Sequence, residues 1–275
     1  MAKLGGLVPP HFSFDMKGQS GAINKVANMP KLSICIPAYD MGGHGAQFLA
    51  ESFERLKQQT FRDFEVIVSD QSKDDAVQKI CAGVEGIKVH HVWFRDGPKQ
   101  ASANSNNAMR HASGEILKIL FQDDLINGTD ALQKMSDAFS DSGVVWLVCG
   151  SGVTRDGQMI ERPMVPHLHP QIQFGKNTIS SPSVLAFRTI NKLDFDEELI
   201  WLMDVDIYKR FAQKYGAPCV VPDTLVLNRL HMGQVSASVS PELRRKELKY
   251  IRKKFLPHET MKDRIQYYKQ ILKAR

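Results

Sequence analysis

The chain has 275 residues, 43% of them apolar and 24% charged, with no low-complexity tract; this fits one large or two small globular domains and excludes a disordered or fibrous protein. No run of 18 apolar residues occurs, so no membrane-spanning helix is expected. The net charge of +6 belongs to the end of the chain, where Pro241 to Arg275 holds 12 Lys/Arg against 4 Asp/Glu; a slightly acidic body with a basic tail is unlike a domain built around a nucleic-acid groove.

Residues 1–30 are rich in Gly, Pro and polar side chains and read as an arm. They lack the charged segment and continuous apolar run of a secretory signal. From Lys31 the pattern becomes regular. "KLSICIPAY", "FEVIVSD", "IKVHHVWF", "EILKILF" and "GVVWLVCG" read as strands. "AQFLAESFERLKQQ", "DDAVQKICAGV", "ASANSNNAMRHAS" and "TDALQKMSDAF" alternate with them as helices, the third stopping near Gly114. Such units predict a parallel sheet covered on both faces, with ligands beyond the carboxyl ends of the strands. Four of those ends are polar: Pro37 to Asp40, Asp70 to Ser72, Arg95 to Gly97 and Gln122 to Asp124. Together they predict one shared polar crevice.

After about residue 150 the rhythm changes to α+β, with a hairpin, a strand in "TISSPSVLAFRT", a helix in "DVDIYKRFAQKYG" and an extended "PCVVPDTLVLNRLH". This half is expected to pack on the first and close the crevice. The tail returns to helix, with Met261, Ile265, Tyr268 and Leu272 on one stripe, and reads first as a solvated helical pair packing one apolar stripe on the body. Cys35, Cys81, Cys149 and Cys219 are scattered without metal-binding spacing, and predict reduced thiols in a cytoplasmic protein.

Three motifs bear on chemistry. "AYDMGGHGAQFL" follows a strand as a dinucleotide fingerprint would, but its third glycine is missing, and no GxxxxGK[ST] occurs. In "EILKILFQDDL" an apolar strand ends on Asp123 and Asp124, a costly pair unless something positive lies beside it. Alternating strand geometry lets one of the two face the crevice, where Mg²⁺ or Mn²⁺ is the natural partner, while the other caps the next turn; turn and cap roles for both stay open. In "WLMDVDIYKRF" Asp204 and Asp206 diverge on a helix. Asp204 can face the crevice and Asp206 pair with Lys209 or Arg210; a charged helix N-terminus with no further role is the alternative.

The segments "LSICIPAYD", "FEVIVSDQS", "SANSNNAMRHASGEILKILFQDD", "SPSVLAFR", "MDVDIYKR" and "RLHMGQVS" occur in this order. Together they resemble a family 2 glycosyltransferase of GT-A fold, over roughly three quarters of the chain. The resemblance implies a Rossmann-like nucleotide-sugar-binding half over 31–150, an α+β acceptor half of the same domain over 151–240, and a basic helical tail over 241–275. It implies that Pro37, Ala38 and Tyr39 flank the nucleobase and that Asp70 accepts a hydrogen bond from it, with UDP as the default donor. Lys99 and Asn106 would lie near ribose or diphosphate, with Gln122 beside them. Asp123 would align with the last aspartate of the family's Asp-x-Asp and hold Mn²⁺ or Mg²⁺, with His231 or Asp124 assisting, because Phe121 stands where the first aspartate belongs. Asp204 would be the general base of an inverting transfer. Ser181, Ser183 and Trp201 would meet the acceptor, a glycan or lipid-linked hydroxyl in polysaccharide biosynthesis.

Two other classes compete. A nucleotidyltransferase acting on a sugar phosphate would carry cations in the loop after the first strand, where this chain has Asp-Met-Gly-Gly-His-Gly. A non-catalytic module would use the basic tail to bind an anionic polymer or a membrane, and peripheral contact at the inner membrane face is a further use of that tail. No nucleic-acid partner is expected; a homo-oligomer stays open. His167 and His169 read as part of an acceptor loop rather than a metal site.

Overall fold

The computed structural model describes residues 29–231 and 239–274. Most of the arm expected over residues 1–30, and the "MGQVS" of the last matching segment, lie outside them. Strands β1 (Leu32–Ala38), β2 (Phe64–Asp70), β3 (Lys88–Trp93) and β4 (Ile116–Ile119) run parallel in the order β3-β2-β1-β4. Helices α1 (Gly45–Lys57), α2 (Ala76–Gly83) and α3 (Ala101–Arg110) make the crossovers. Every residue of β1 and β2 is buried, which is why both read as nearly unbroken apolar runs. β3 is the edge strand, and its alternation is correspondingly half-exposed.

The polar exceptions in β2 tie the layers together. Buried Glu65 accepts from Ser33 Oγ (2.7 Å), Ser113 N (2.8 Å) and Ser113 Oγ (2.7 Å). The turn after α3 therefore lies on β1 so closely that a Cβ on Gly114 would meet Ser33 N at 2.7 Å. Only glycine fits there.

Beyond β4 the sheet becomes mixed. β8 (Leu185–Arg188) is antiparallel to both β4 and β6 (Trp146–Thr154). β9 (Cys219–Arg229) lies parallel to β6, β5 (Leu125–Ile126) pairs with β9, and β7 (Glu161–Met164) forms a hairpin with β6. The boundary expected at residue 150 falls inside β6, and the two halves share one nine-stranded sheet. Helices α4 (Ala131–Ala138) and α5 (Met203–Tyr215) complete the body. Phe211 on α5 stacks on Trp146 (centroids 5.4 Å apart) and leans on Phe187 (4.9 Å). Burying rings of this size contributes about 2–3 kcal/mol each, and here it fixes where α5 begins.

In the tail, α6 (Pro241–Phe255) starts on a Ser240 cap with Pro241 at its first position, and buries Leu248, Ile251 and Phe255. Helix α7 (Met261–Lys273) opens with a Thr260/Asp263 capping box. Its packing differs from the expected one. Tyr267, Ile271 and Asp263 face the body, with Tyr267 edge-on to Phe174 and Asp263 accepting from Gln173 Nε2 at 2.9 Å. The stripe of Met261, Ile265, Tyr268 and Leu272 points outward, 49–68% exposed. Periodicity identified the helix; the inward face follows from the aromatic contact and the buried acid. No helix among the described residues is long and apolar enough to cross a membrane. All four cysteines are free thiols.

Candidate active site

Of the four polar strand ends, Arg95 to Gly97 does not line the crevice, Arg95 donating instead to Ser72 O (3.2 Å) and Asp74 O (3.1 Å); the other three converge. They open on a cavity of about 510 Å³ lined on one side by Pro37, Tyr39, Asp40, Lys73, Lys99 and Asn104 and on the other by Ser181, Trp201, Met203 and Asp204. Its size is right for a nucleotide-sized ligand.

The floor is the turn after β4. Gln122 is buried there, accepting from Tyr39 N (2.9 Å) and donating to Gly45 O (2.6 Å). This joins the loop after β1 to the start of α1. A Cβ on Gly45 would stand 2.1 Å from Tyr39 O, so this glycine serves close backbone approach, while Gly42 and Gly43 supply positive φ in the turn before it.

The partners of Asp123 and Asp124 come from the end of β9 and the residues just after it. His231 Nε2 lies 2.9 Å from Asp123 Oδ2, and both side chains keep some exposure, 18% and 15%. Arg229 donates from Nε to Asp123 O (3.2 Å) and from its backbone N to Asp124 Oδ1 (3.2 Å), and its guanidinium forms an ion pair with Glu51. Asp124 Oδ2 lies 3.1 Å from Ser181 Oγ. Burial, with the neighbouring Asp123 charge added, pushes the Asp124 carboxyl up to about 7. The strand ends at Ile119, so the two aspartates split within the turn rather than by strand alternation: Asp123 lies beside His231 at the cavity, while the oxygens of Asp124 are committed to the protein. Beneath them Lys118 is fully buried in β4, donating to Ile119 O (2.9 Å) and to Ser183 O. Burial lowers its pKa to about 8. The single lysine inside "EILKILF" was the sequence signal for this buried cation.

Several expected contacts are placed elsewhere. Asp70 is fully buried, bonded by Ser72 N (2.8 Å) and His91 Nε2 (2.9 Å), and stands behind the cavity wall. Ala38 is buried too and presents its carbonyl to Asn104 Nδ2 (2.9 Å). Asn106 turns away from the cavity, donating to Phe195 O (2.9 Å) and Glu197 Oε1 (2.8 Å) and accepting from Phe195 N (2.7 Å). Asn104 takes the cavity position instead, and its buried Oδ1 has no hydrogen-bond partner among the described residues. Ser183 is fully buried, its Oγ accepting from Phe121 N (2.8 Å), and does not reach the cavity. Tyr208 belongs to the core, donating to Ser181 O (2.9 Å). His169 forms a turn, its Nδ1 accepting from Gln171 N (3.1 Å), and His167 contributes backbone bonds to Thr178.

Asp204 occupies the far wall at the start of α5. Its Oδ1 accepts from Val205 N (2.7 Å) and its Oδ2 from Asn177 Nδ2 (2.6 Å), a partner with no sequence signal. Burial outweighs these bonds and raises the carboxyl to about 7, with the negative charge of Glu247 adding to the effect. Asp206 points the other way, fully buried and paired with Arg210 (2.7 Å) and Lys254 (2.7 Å). The cavity therefore sets one carboxyl poised near neutrality across from an exposed lysine pair and an Asp–His pair.

The comparisons agree with the fold that carries this cavity. TarS of S. aureus, solved as residues 1–349 with UDP-GlcNAc, superposes with a TM-score of 0.63 at 20% identity over 89% of this chain and 72% of that one. The mannosyltransferase PcManGT of Pyrobaculum calidifontis, solved with GDP-Man and Mn²⁺, superposes at 0.59 with 19% identity over 90% and 69%. These likenesses show the GT-A fold. In sequence, the chain is 28% identical over 120 residues to the GalNAc(5)-diNAcBac-PP-undecaprenol beta-1,3-glucosyltransferase of Campylobacter jejuni, and 23% identical over 201 residues to the uncharacterized protein y4gI of Sinorhizobium fredii. The alignments span 41% and 71% of this chain but only 37% and 22% of those proteins. The model of glycosyl transferase family 2 matches residues 33–208, and the chain belongs to that family.

Proposed function

We propose that the cavity transfers a sugar from a nucleoside diphosphate donor, a UDP-sugar in the first instance, to an acceptor hydroxyl with inversion. Asp204 is the general base. It takes the proton from the acceptor hydroxyl as that oxygen attacks the anomeric carbon from the face opposite the diphosphate. The bond from the anomeric carbon to the diphosphate oxygen breaks, and the nucleoside diphosphate leaves with its electron pair. A single carboxylate suffices for this chemistry. The observation that carries the reading is the raised Asp204 carboxyl, isolated on the wall opposite Asp123 and His231.

Pro37 and Tyr39 would flank the base, Asn104 Oδ1 would accept from it, and Asp70 would support the wall behind. Lys99 and Lys73 would meet the diphosphate. Among the described residues no three His, Cys, Asp or Glu side chains are spaced to hold a metal by themselves. A carboxylate oxygen of Asp123, an imidazole nitrogen of His231 and diphosphate oxygens nevertheless make a donor set that suits Mn²⁺ or Mg²⁺. When bound, such an ion would neutralise charge developing on the leaving group. Trp201 and Ser181 would line the acceptor side.

The acceptor is a glycan or a lipid-linked sugar, a reading supported by the lipid-linked substrate in the Campylobacter protein's name. The outward stripe of α7, flanked by Lys262, Arg264, Lys269 and Lys273, would rest on an anionic lipid surface beside such an acceptor. Co-sedimentation with phosphatidylglycerol vesicles, lost in an Ile265→Ser/Leu272→Ser variant, is the expected result. Vesicles that leave the unaltered protein in the supernatant would remove this part of the proposal.

A thermal-shift panel tests the donor class. Stabilisation by a nucleoside diphosphate that grows with Mn²⁺ is expected. Preference for a nucleoside triphosphate would favour the nucleotidyltransferase reading instead.

A further inference from the structure

We propose that Glu247, on the tail helix α6, is a positioning residue for Asp204, gathering the backbone that leads into α5 and so fixing the acceptor wall. The inference rests on the reading of Asp204 as the base.

Glu247 is the one acid in the middle of a strongly basic helix, and it is 1% exposed. Among the described residues it has no ion-pair partner. Its carboxylate is bonded by backbone N–H groups instead: Ile200 N at 2.8 Å and Trp201 N at 3.2 Å on Oε1, and Trp201 N at 3.0 Å and Leu202 N at 2.8 Å on Oε2. These three residues immediately precede α5, and Leu202 offers that helix no side-chain cap. A helix start leaves N–H groups unpaired and favours negative charge. From a different element, Glu247 bonds the N-cap N–H of Leu202 and the two N–H groups before it, and brings a negative charge to that end of the helix. Ile200, Trp201, Met203 and Asp204 all line the cavity, so the carboxylate fastens the wall from behind.

Other tail contacts hold the same segment. Lys254 bridges Asp196 (2.5 Å) and Asp206 (2.7 Å), Tyr250 donates to Asp196 (2.9 Å), and the Arg244 guanidinium lies 5.3 Å from the Trp201 ring. These can hold the loop, but Glu247 alone adds negative charge near Asp204. The groups that face Asp204 are few. The loop before β8 presents neutral Asn177, α5 presents the Tyr208 hydroxyl, and α6 presents Glu247. Across the cavity stand Asp123, Asp124, Lys73 and Lys99.

The test measures the Asp204 titration directly by ¹³C-carboxyl NMR of the full chain, its resonance assigned by loss in Asp204→Asn. Turnover is followed as UDP release from UDP-glucose and UDP-GlcNAc. In Glu247→Gln the Asp204 midpoint should move to lower pH, because a nearby negative charge is gone. Turnover should fall about 10- to 100-fold, the effect of a small misplacement, with UDP affinity within about twofold of the parent. In Glu247→Asp, which keeps the charge but shortens the reach, turnover should fall while the midpoint stays. A merely structural role would lower the melting temperature of both variants and leave the turnover of the folded protein at the parental level in Glu247→Asp. An unmoved Asp204 midpoint in Glu247→Gln overturns the proposal; should that variant not fold, equal parental turnover in Glu247→Asp overturns it. Full turnover in Asp204→Asn would instead overturn the base assignment, a separate failure.

Discussion

The two walls of the cavity are built by different rules. The wall proposed for the donor is made mainly of strand ends and the loops that follow them in one parallel sheet, with Asn104 added from α3. Pro37, Gln122 and Asp123 follow directly from buried β1 and β4. The acceptor wall is assembled from distant pieces: Ser181 from the turn before β8, Trp201 and Asp204 from the start of α5, and Glu247 from the tail. A sheet positions its ends through many cooperative backbone bonds, whereas an assembled wall depends on a few polar ties. Mutations should therefore act locally on the first and spread through the second.

The largest expected effect belongs to the acceptor wall. Asp204→Asn should cut turnover by about 10²–10⁴, the range for removing a general base, with nucleoside diphosphate affinity nearly unchanged by calorimetry. The same carboxyl carries a pH signature. Its folded pKa lies above the ordinary aspartate value, at about 7. The folded state therefore holds a proton that the unfolded chain has released, and stability declines as pH rises from about 4 to about 7. Melting temperatures across this window should fall less steeply in Asp204→Asn, with Asp124 supplying the slope that remains.

Next comes the donor wall. Asp123→Ala should abolish the Mn²⁺-dependent part of UDP binding, a loss of at least about tenfold on the scale of metal-site substitutions, and leave the melting temperature of the free protein within a few degrees. A large drop in stability would mean that the Asp123–His231 pair serves the fold more than a ligand. The smallest effect sharpens the contrast. Asn106→Ala removes three bonds to Phe195 and Glu197 and should cost about 1–3 kcal/mol in denaturant melts. It should slow transfer without weakening UDP binding; weakened UDP binding would return Asn106 to the donor wall.

The difference between walls also explains what the sequence could say. β1, β2 and β4 were legible because burial on both faces leaves a continuous apolar signal. The pairing of Asp206 with Arg210 was legible because four residues make one helical turn. β5 was not, since two residues carry no period. In α3 the polar residues Ser102, Asn104, Ser105, Asn106 and Asn107 are all buried, so polarity could not tell which asparagine meets the cavity. The outward face of α7 was misplaced because an apolar stripe marks a helix without naming what it touches. Glu247 was hidden for a simpler reason: an acid among many bases looks like a surface residue.

One consequence concerns the tail helix α6. A chain cut before Pro241 would remove the cation that Lys254 brings to Asp206 and leave that fully buried aspartate with Arg210 as its remaining ion-pair partner. The change in composition at that point invites a division of the chain there, yet the inner tail helix is packed into the same body as the cavity wall, and trimming it would loosen the segment that leads into α5.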